Sequence, residues 1–301
     1  MVEAEENPLP NINEGDLDNQ LVVVEYVEDI YKLYRRTEHM SCVLDYIPSQ
    51  REINGKMRTL LINWLIELHH KFWLMPETLY LTTNILDRYL SIQYISRSDC
   101  QLVGATALLL ASKYEEIWAP EIDEFLAILE TNFERKHVLL MENTMLKKLK
   151  FHLTVPTPYV FLVRFLKVAD SDGEMANLVF FFMELSLMEY VMIEFPPSML
   201  VAAIVYIAQC TLERKPLWND VLKSHLGYSE TDLKECVTLM VNFHRNSVEC
   251  KVDAAFTKYS NPDYKSVALI KPGKLFLLIR CSYSYSTTAF IIFSIHTTAF
   301  T

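Results

Sequence analysis

The sequence predicts an all-α protein: two consecutive domains of five helices each, preceded by one further helix. Three observations predict it. Only six glycines occur in 301 residues, and helices tolerate scarce glycine far better than turn-rich sandwiches, barrels and phosphate-cradling loops do. Apolar residues recur at helical spacing through most of the chain. Prolines stand at the edges of those periodic blocks, at Pro76, Pro120, Pro156, Pro158, Pro196, Pro197 and Pro216, where a helix stops or starts.

Composition narrows the function. A chain that is 51% hydrophobic and 12% aromatic can fill two cores of ordinary size. A net charge of -10 disfavours both nucleic acid and an anionic membrane surface, which attract clustered Lys and Arg. The partners are therefore read as proteins. The six cysteines form no CxxC pair or regular spacing, so neither a zinc site nor a disulfide framework is expected, and a reducing, intracellular compartment is implied. The amino terminus shows no basic segment followed by an apolar run, and no stretch before residue 275 could cross a bilayer uncharged. The chain reads as soluble.

Residues 1–23 are acidic, without a Lys or Arg, and contain Pro8 and Pro10; they read as a short disordered tail. From Val24 the series Val24, Val27, Ile30, Tyr31, Tyr34 predicts a free-standing helix over 24–36, closed by Arg35 and Arg36 at the negative end of its dipole. With its connector it spans 24–54. Helices predicted at 56–74, 76–92, 99–115, 120–130 and 134–148 make a first domain, 55–153. A second domain, 154–250, takes helices at 158–169, 173–191, 197–213, 217–225 and 229–247. Thr154-Val-Pro-Thr-Pro158 reads as the hinge between them. Val103 to Ala111 and Leu200 to Ala208 are apolar nearly all round, which suits one central helix per domain. Residues 251–274 are an extension and 275–301 an atypical tail.

On the helix starting at Met57, positions at 100° intervals put Met57, Leu61, Trp64 and Leu68 in one stripe, and Ile62, Leu65 and Ile66 widen it. So broad an arc belongs either to an engulfed helix or to one that keeps part of its face open for a partner. Arg58 falls inside the arc and requires a carboxylate; Asp87 on the next helix is the candidate. His69 and His70 point about 100° apart with no third ligand nearby, so both read as surface histidines and no metal is expected. Cys100 begins a helix without a base nearby and reads as packing. No GxSxG, GxxxxGK[ST], GxGxxG or aspartate-rich motif occurs, and Asp170-Ser-Asp172 is too little for one. Neither an enzymatic activity nor a cofactor is expected.

Several blocks together carry a family resemblance. Met57-Arg-Thr-Leu-Leu-Ile-Asn-Trp-Leu65, Pro76-Glu-Thr-Leu-Tyr-Leu81, Asp87-Arg-Tyr-Leu90, Gln101-Leu-Val-Gly104 and Leu110-Ala-Ser-Lys-Tyr-Glu-Glu-Ile117, in that order and spacing, resemble the cyclin box. Tyr114 to Pro120, Leu153 to Phe161 and Pro197-Ser-Met-Leu200 most resemble plant B-type mitotic cyclins, and the similarity runs from about Val24 to Lys271.

The resemblance implies two cyclin boxes and a regulatory subunit, itself no enzyme, that binds and activates a cyclin-dependent protein kinase at G2/M, in nucleus and cytoplasm. A transcription-associated adaptor that activates no kinase is the alternative. By the same resemblance, Lys113 and Glu142 hydrogen-bond the kinase's movable helix and its surroundings, and Phe151, Leu153, Leu110 and Tyr114 add apolar contacts. The N-terminal helix adds a second contact surface. Met57, Leu61, Trp64 and Gln101 match the hydrophobic patch that accepts Arg-x-Leu motifs of substrates and inhibitors, which favours the open reading of the stripe. Arg58 and Asp87 match the family's buried ion pair.

The chain also departs from the family pattern. Mitotic cyclins carry a long N-terminal extension with an Arg-x-x-Leu destruction signal, whereas the first arginine here is Arg35, already in a helix. Arg58-Thr-Leu-Leu61 fits the letters inside a packed helix, and Asn63 stands where many relatives have aspartate. After Lys274, Leu275 to Ile279 and a repeated Thr-Thr-Ala-Phe at 287–290 and 297–300 resemble no cyclin. That tail reads as appended by a misread exon boundary rather than as an anchor, because Arg280 and many hydroxyls interrupt it. Its low charge and β-prone composition make it an aggregation hazard if exposed.

Overall fold

The computed structural model describes residues 12–19, 22–43, 45–128, 133–215, 217–250 and 253–271. Among them are twelve α-helices and no strand: α1 Val24–Thr37, α2 Gly55–Lys71, α3 Pro76–Ile92, α4 Cys100–Glu115, α5 Ile122–Leu126, α6 Arg135–Lys148, α7 Pro158–Val168, α8 Gly173–Met188, α9 Pro197–Thr211, α10 Asp220–Leu226, α11 Glu230–Cys250 and α12 Ala254–Tyr259. Local chemistry sets the boundaries. Pro76, Pro158 and Pro197 occupy first-turn positions, where a missing N–H costs nothing. Asn54 accepts the Met57 N–H at 3.0 Å to start α2, and Asp172 accepts the Met175 N–H at 2.9 Å to start α8. Gly227, at φ +71°, lets α10 end in a left-handed turn.

The two apolar segments form the axes of two five-helix boxes. In the first box α4, buried from Leu102 to Ser112, packs on α2, α3 and α6; in the second α9 packs on α7, α8 and α11. Gly104 lets α2 approach α4 closely, because a Cβ there would sit 2.8 Å from Leu61 Cδ1.

The boxes join through a buried polar junction. The Arg58 guanidinium, almost wholly buried, meets both Asp87 oxygens, Nε to Oδ1 and Nη2 to Oδ2, each at 2.7 Å. Its Nη1 donates to the Leu187 carbonyl of the second box at 2.9 Å, and the Tyr46 hydroxyl donates to Asp87 at 2.7 Å. Burial opposes the Arg58 charge, but attraction and hydrogen bonds from Asp87 outweigh it and hold the guanidinium protonated. Thr59 adds a hydroxyl bond to the Met188 carbonyl at 2.9 Å. α12 straddles α2 and α8: Lys258 Nζ and the Tyr259 hydroxyl reach Glu184 Oε1 at 2.5 and 2.8 Å. Asn63 Oδ1 accepts the Ala254 N–H at 2.8 Å, so this asparagine holds the start of α12.

Four expectations are corrected. α1 is not free-standing but lies on the second box, where Tyr31 donates to the Val160 carbonyl and Arg35 to the Tyr228 hydroxyl, both at 2.7 Å. Arg164 pairs with Glu28 and stacks 4.6 Å from the Tyr31 ring centre. A helix of 14 residues is marginal alone, so its aromatic stripe must pack. Residues 12–19 of the acidic tail are also docked: Ile12 packs on the core and Asp16 pairs with Lys167. The fourth predicted helix shrinks to Ile122–Leu126, and positions 129–132 lie outside the described residues, as do 1–11 and 272–301 with the tail expectations made for them. His69 is buried and its Nε2 lies 2.9 Å from the Met75 carbonyl, since it follows Ile62 by seven residues on the same inward face.

The linker 154–158 is packed, with Pro156 and Thr157 buried. Among the described residues no helix is long and apolar enough to cross a membrane, and no three His, Cys, Asp or Glu side chains are grouped to hold a metal. Cys100 is buried, and burial pushes its thiol up to about 11.

The junction yields two predictions. Arg58→Met or Asp87→Leu alone should cost about 3–5 kcal/mol in urea unfolding, and the double variant distinctly less than the sum, because each single change strands a buried charge. Glu189 lies beside this junction; burial chiefly, opposed by Arg58, pushes its carboxyl from 4.5 to about 7. Between those values the native chain binds more proton than the unfolded one, so stability falls as pH rises through the interval. Glu189→Gln should therefore be more stable than the parent at pH 8 and nearly equal to it at pH 5 in the same urea assay.

Candidate functional site

The ends of α4 and α6 build one face of the first box. Ser112 is fully buried and turns its hydroxyl back to the Leu108 carbonyl at 2.8 Å, so the next residue, Lys113, emerges. Its Nζ reaches Glu142 Oε1 of α6 at 2.5 Å, with side chains 43% and 14% exposed. Because most of the Glu142 side chain is shielded, the pair carries more weight than an ordinary surface bridge. Tyr114, exposed, shares a 2.5 Å hydrogen bond with the Thr154 hydroxyl at the box linker.

α6 ends in an unusual turn. Lys150 and Phe151 both take left-handed backbone, at φ +54° and +56°, a conformation costly for side chains of this size. The Phe151 N–H donates to the Leu146 carbonyl at 2.9 Å and closes the turn. Its ring is left 66% exposed beside the Lys113–Glu142 face, while Leu153 folds back against the core. Leu110 differs from its expected role: at 3% exposure it lies beneath the face and supports it. An inward-facing residue of a central helix has no route to a partner.

Sequence reading missed four exposed apolar residues here: Leu139, Leu140, Ile117 and Trp118. Val138, Leu139, Leu140 and Met141 are consecutive, and four successive positions cover more than one face of a helix, so the run itself was a signal. Ile117 and Trp118, the latter 89% exposed, follow Glu116. Glu116 Oε1 accepts the Met75 N–H at 2.7 Å and the Thr78 hydroxyl at 2.6 Å, which fixes the loop that carries them.

A second surface lies where α2 meets α4. Met57, Trp64 and Gln101 are half-buried, whereas Leu61 is 3% exposed, pressed onto Gly104. Leu61 is thus the floor of this patch, and Leu60, 38% exposed, is the leucine that reaches solvent. Helical spacing put Leu61 in the stripe; the close approach at Gly104 sank it. On α1, Tyr26 and Leu33, seven residues apart, are exposed on the side away from the second box.

A bipartite helical fold with this face is that of a cyclin-box protein, and comparison with known proteins agrees. The profile "Cyclin, N-terminal domain" matches residues 29–154 and "Cyclin, C-terminal domain" matches 156–273. The chain belongs to the cyclin family, and plant B-type and G2/mitotic cyclins are among the relatives it matches. It is 47% identical over 273 residues to Cyclin-B1-5 of Oryza sativa subsp. japonica, covering 91% of this chain and 61% of the relative. To G2/mitotic-specific cyclin-1 of Antirrhinum majus it is 49% identical, covering 88% and 56%. G2/mitotic-specific cyclin S13-7 of Glycine max is 48% identical over 82% of this chain and 96% of that protein. The chain thus spans roughly 60% of the length of the first two relatives. Among solved structures, a viral cyclin from herpesvirus saimiri shares the fold with a TM-score of 0.60 at 19% identity, over 66% of this chain and 88% of that one.

Proposed function

We propose that this chain is a regulatory subunit that binds and activates a cyclin-dependent protein kinase at the entry to mitosis, in nucleus and cytoplasm, without chemistry of its own. The observation that carries the reading is the α4–α6 face: the Lys113–Glu142 pair with exposed Tyr114, Leu140 and Phe151 around it. A lone monomer has no packing reason to hold such side chains in water, and Phe151 even occupies unfavourable backbone to be there. The G2/mitotic names of relatives 48–49% identical support the assignment to mitosis. Apolar anchors supply most of the binding energy and the charged pair sets register. The outward side of α1 widens the contact, and an interface of about 2,000 Å² or more offsets the cost of repositioning the kinase's movable helix and activation loop. ATP chemistry remains on the kinase. The patch of Met57, Leu60, Trp64 and Gln101 docks Arg-x-Leu motifs of substrates and inhibitors.

Purified chain added to a cyclin-dependent kinase should stimulate histone phosphorylation. Lys113→Ala with Glu142→Ala should cut that stimulation by roughly tenfold or more while circular dichroism stays helical. Phe151→Gly should weaken kinase binding with no loss of thermal stability, since glycine relieves the left-handed strain. Tight binding without stimulation would assign an adaptor, and no binding would overturn the reading. Leu60→Ala with Trp64→Ala should impair phosphorylation of Arg-x-Leu-bearing substrates more than of short peptides. Equal impairment of both would show that the patch only supports the fold.

A further inference from the structure

The end of α3, the loop after α1 and the end of α6 converge on a pocket of about 540 Å³ that none of the above uses. Its charge opposes that of the chain as a whole. Against a net charge of -10, Arg88, Lys148, Lys150 and His152 line it, and Asp45 is its one carboxylate. Asp45 is already engaged by the Tyr190 hydroxyl at 2.9 Å. Among the described residues, no carboxylate forms an ion pair with Arg88, Lys148 or Lys150.

Arg88 is the most telling member. It is half-buried, and its Nη1 reaches only neutral acceptors, the His152 carbonyl at 2.9 Å and Asn84 Oδ1 at 3.4 Å. Burial holds its guanidinium below the ordinary value. Elsewhere in this protein the buried guanidiniums of Arg58 and Arg164 each have a carboxylate; Arg88 lacks one, and a partly desolvated guanidinium gains most from an incoming anion.

The surroundings narrow the anion. Met40 and Ile92, both exposed apolar side chains, also line the pocket, and they suit the neighbours of a charged group in a peptide. A nucleotide base would need an aromatic platform, yet the sole Phe, Tyr or Trp there, Tyr46, is buried with its hydroxyl on Asp87. An anionic membrane calls for a broad basic face, which a concave pocket on an acidic chain does not offer. We propose that this pocket binds a phosphorylated serine or threonine of a partner peptide, with Arg88 as the directional donor, Lys148 and Lys150 neutralising the dianion, and Met40 and Ile92 contacting its apolar neighbours. The site belongs to this chain alone and does not depend on the kinase reading.

The test uses the full chain and a fluorescein-labelled nonapeptide with one phosphothreonine flanked by leucines, followed by fluorescence polarisation. The phosphopeptide should bind about tenfold or more tighter than its unphosphorylated and glutamate-bearing twins, and inorganic phosphate should compete. Lys148→Gln with Lys150→Asn, both at exposed positions, should weaken binding by roughly fivefold or more, with unchanged urea unfolding. Asparagine tolerates the left-handed backbone at position 150. Lys136→Gln with Lys234→Gln, the same charge loss elsewhere, should change nothing. Equal affinity for the three peptides, equal weakening by both double variants, or full binding by the folded Lys148/Lys150 variant would each overturn the proposal.

Discussion

The architecture depends on one buried charge. Arg58 sits where α2, α3 and the end of α8 meet, and a guanidinium there is tolerable only with its full set of acceptors. Asp87 supplies two of them and the Leu187 carbonyl a third, so the residue that closes the first box also fastens the second. The connector is drawn into the same point, because the Tyr190 hydroxyl accepts the Tyr46 and Ile47 N–H groups at 2.7 and 3.0 Å. With α12 laid across both boxes and α1 bound to the second, the helices around α4 and α6 stand in a fixed frame. A surface that must reshape another protein needs such a frame, since binding free energy would otherwise be lost in deforming its own helices.

Much of the fold was legible because helix signals are local. Proline positions, side-chain caps and three-to-four periodicity act within one or two turns, and the helices begin within a few residues of where those signals stand. The demand of Arg58 for a carboxylate could likewise be read from its place in an apolar arc. What escaped depends on how helices meet. Periodicity tells which side of α1 is apolar but not which domain covers it. It places Leu61 in a stripe, yet only the bare backbone of Gly104 decides that Leu61 sinks and Leu60 surfaces. His69 is the opposite case: its spacing of seven from Ile62 put it on the inward face, and reading it as a surface histidine set residue type above position.

The candidate face was legible in part for similar reasons. The positions of Lys113 and Glu142 followed from family resemblance, but their mutual pairing is a tertiary fact. The exposed rim of Ile117, Trp118, Leu139 and Leu140 is a departure from amphipathic economy: the run from Val138 to Met141 announced it in part, but which of its members stay in water is fixed only by the core drawn around them.

The pairing of Lys113 with Glu142 has a consequence for discrimination. In the free chain each charge already has its complement, so an arriving surface that offers an acceptor to the lysine alone leaves the glutamate stranded, and one that courts the glutamate alone strands the lysine. Only a visitor bearing a donor and an acceptor at the matching separation breaks even. Two interlocked charges therefore behave as a two-key lock, rejecting half-matched comers through the ion each would abandon.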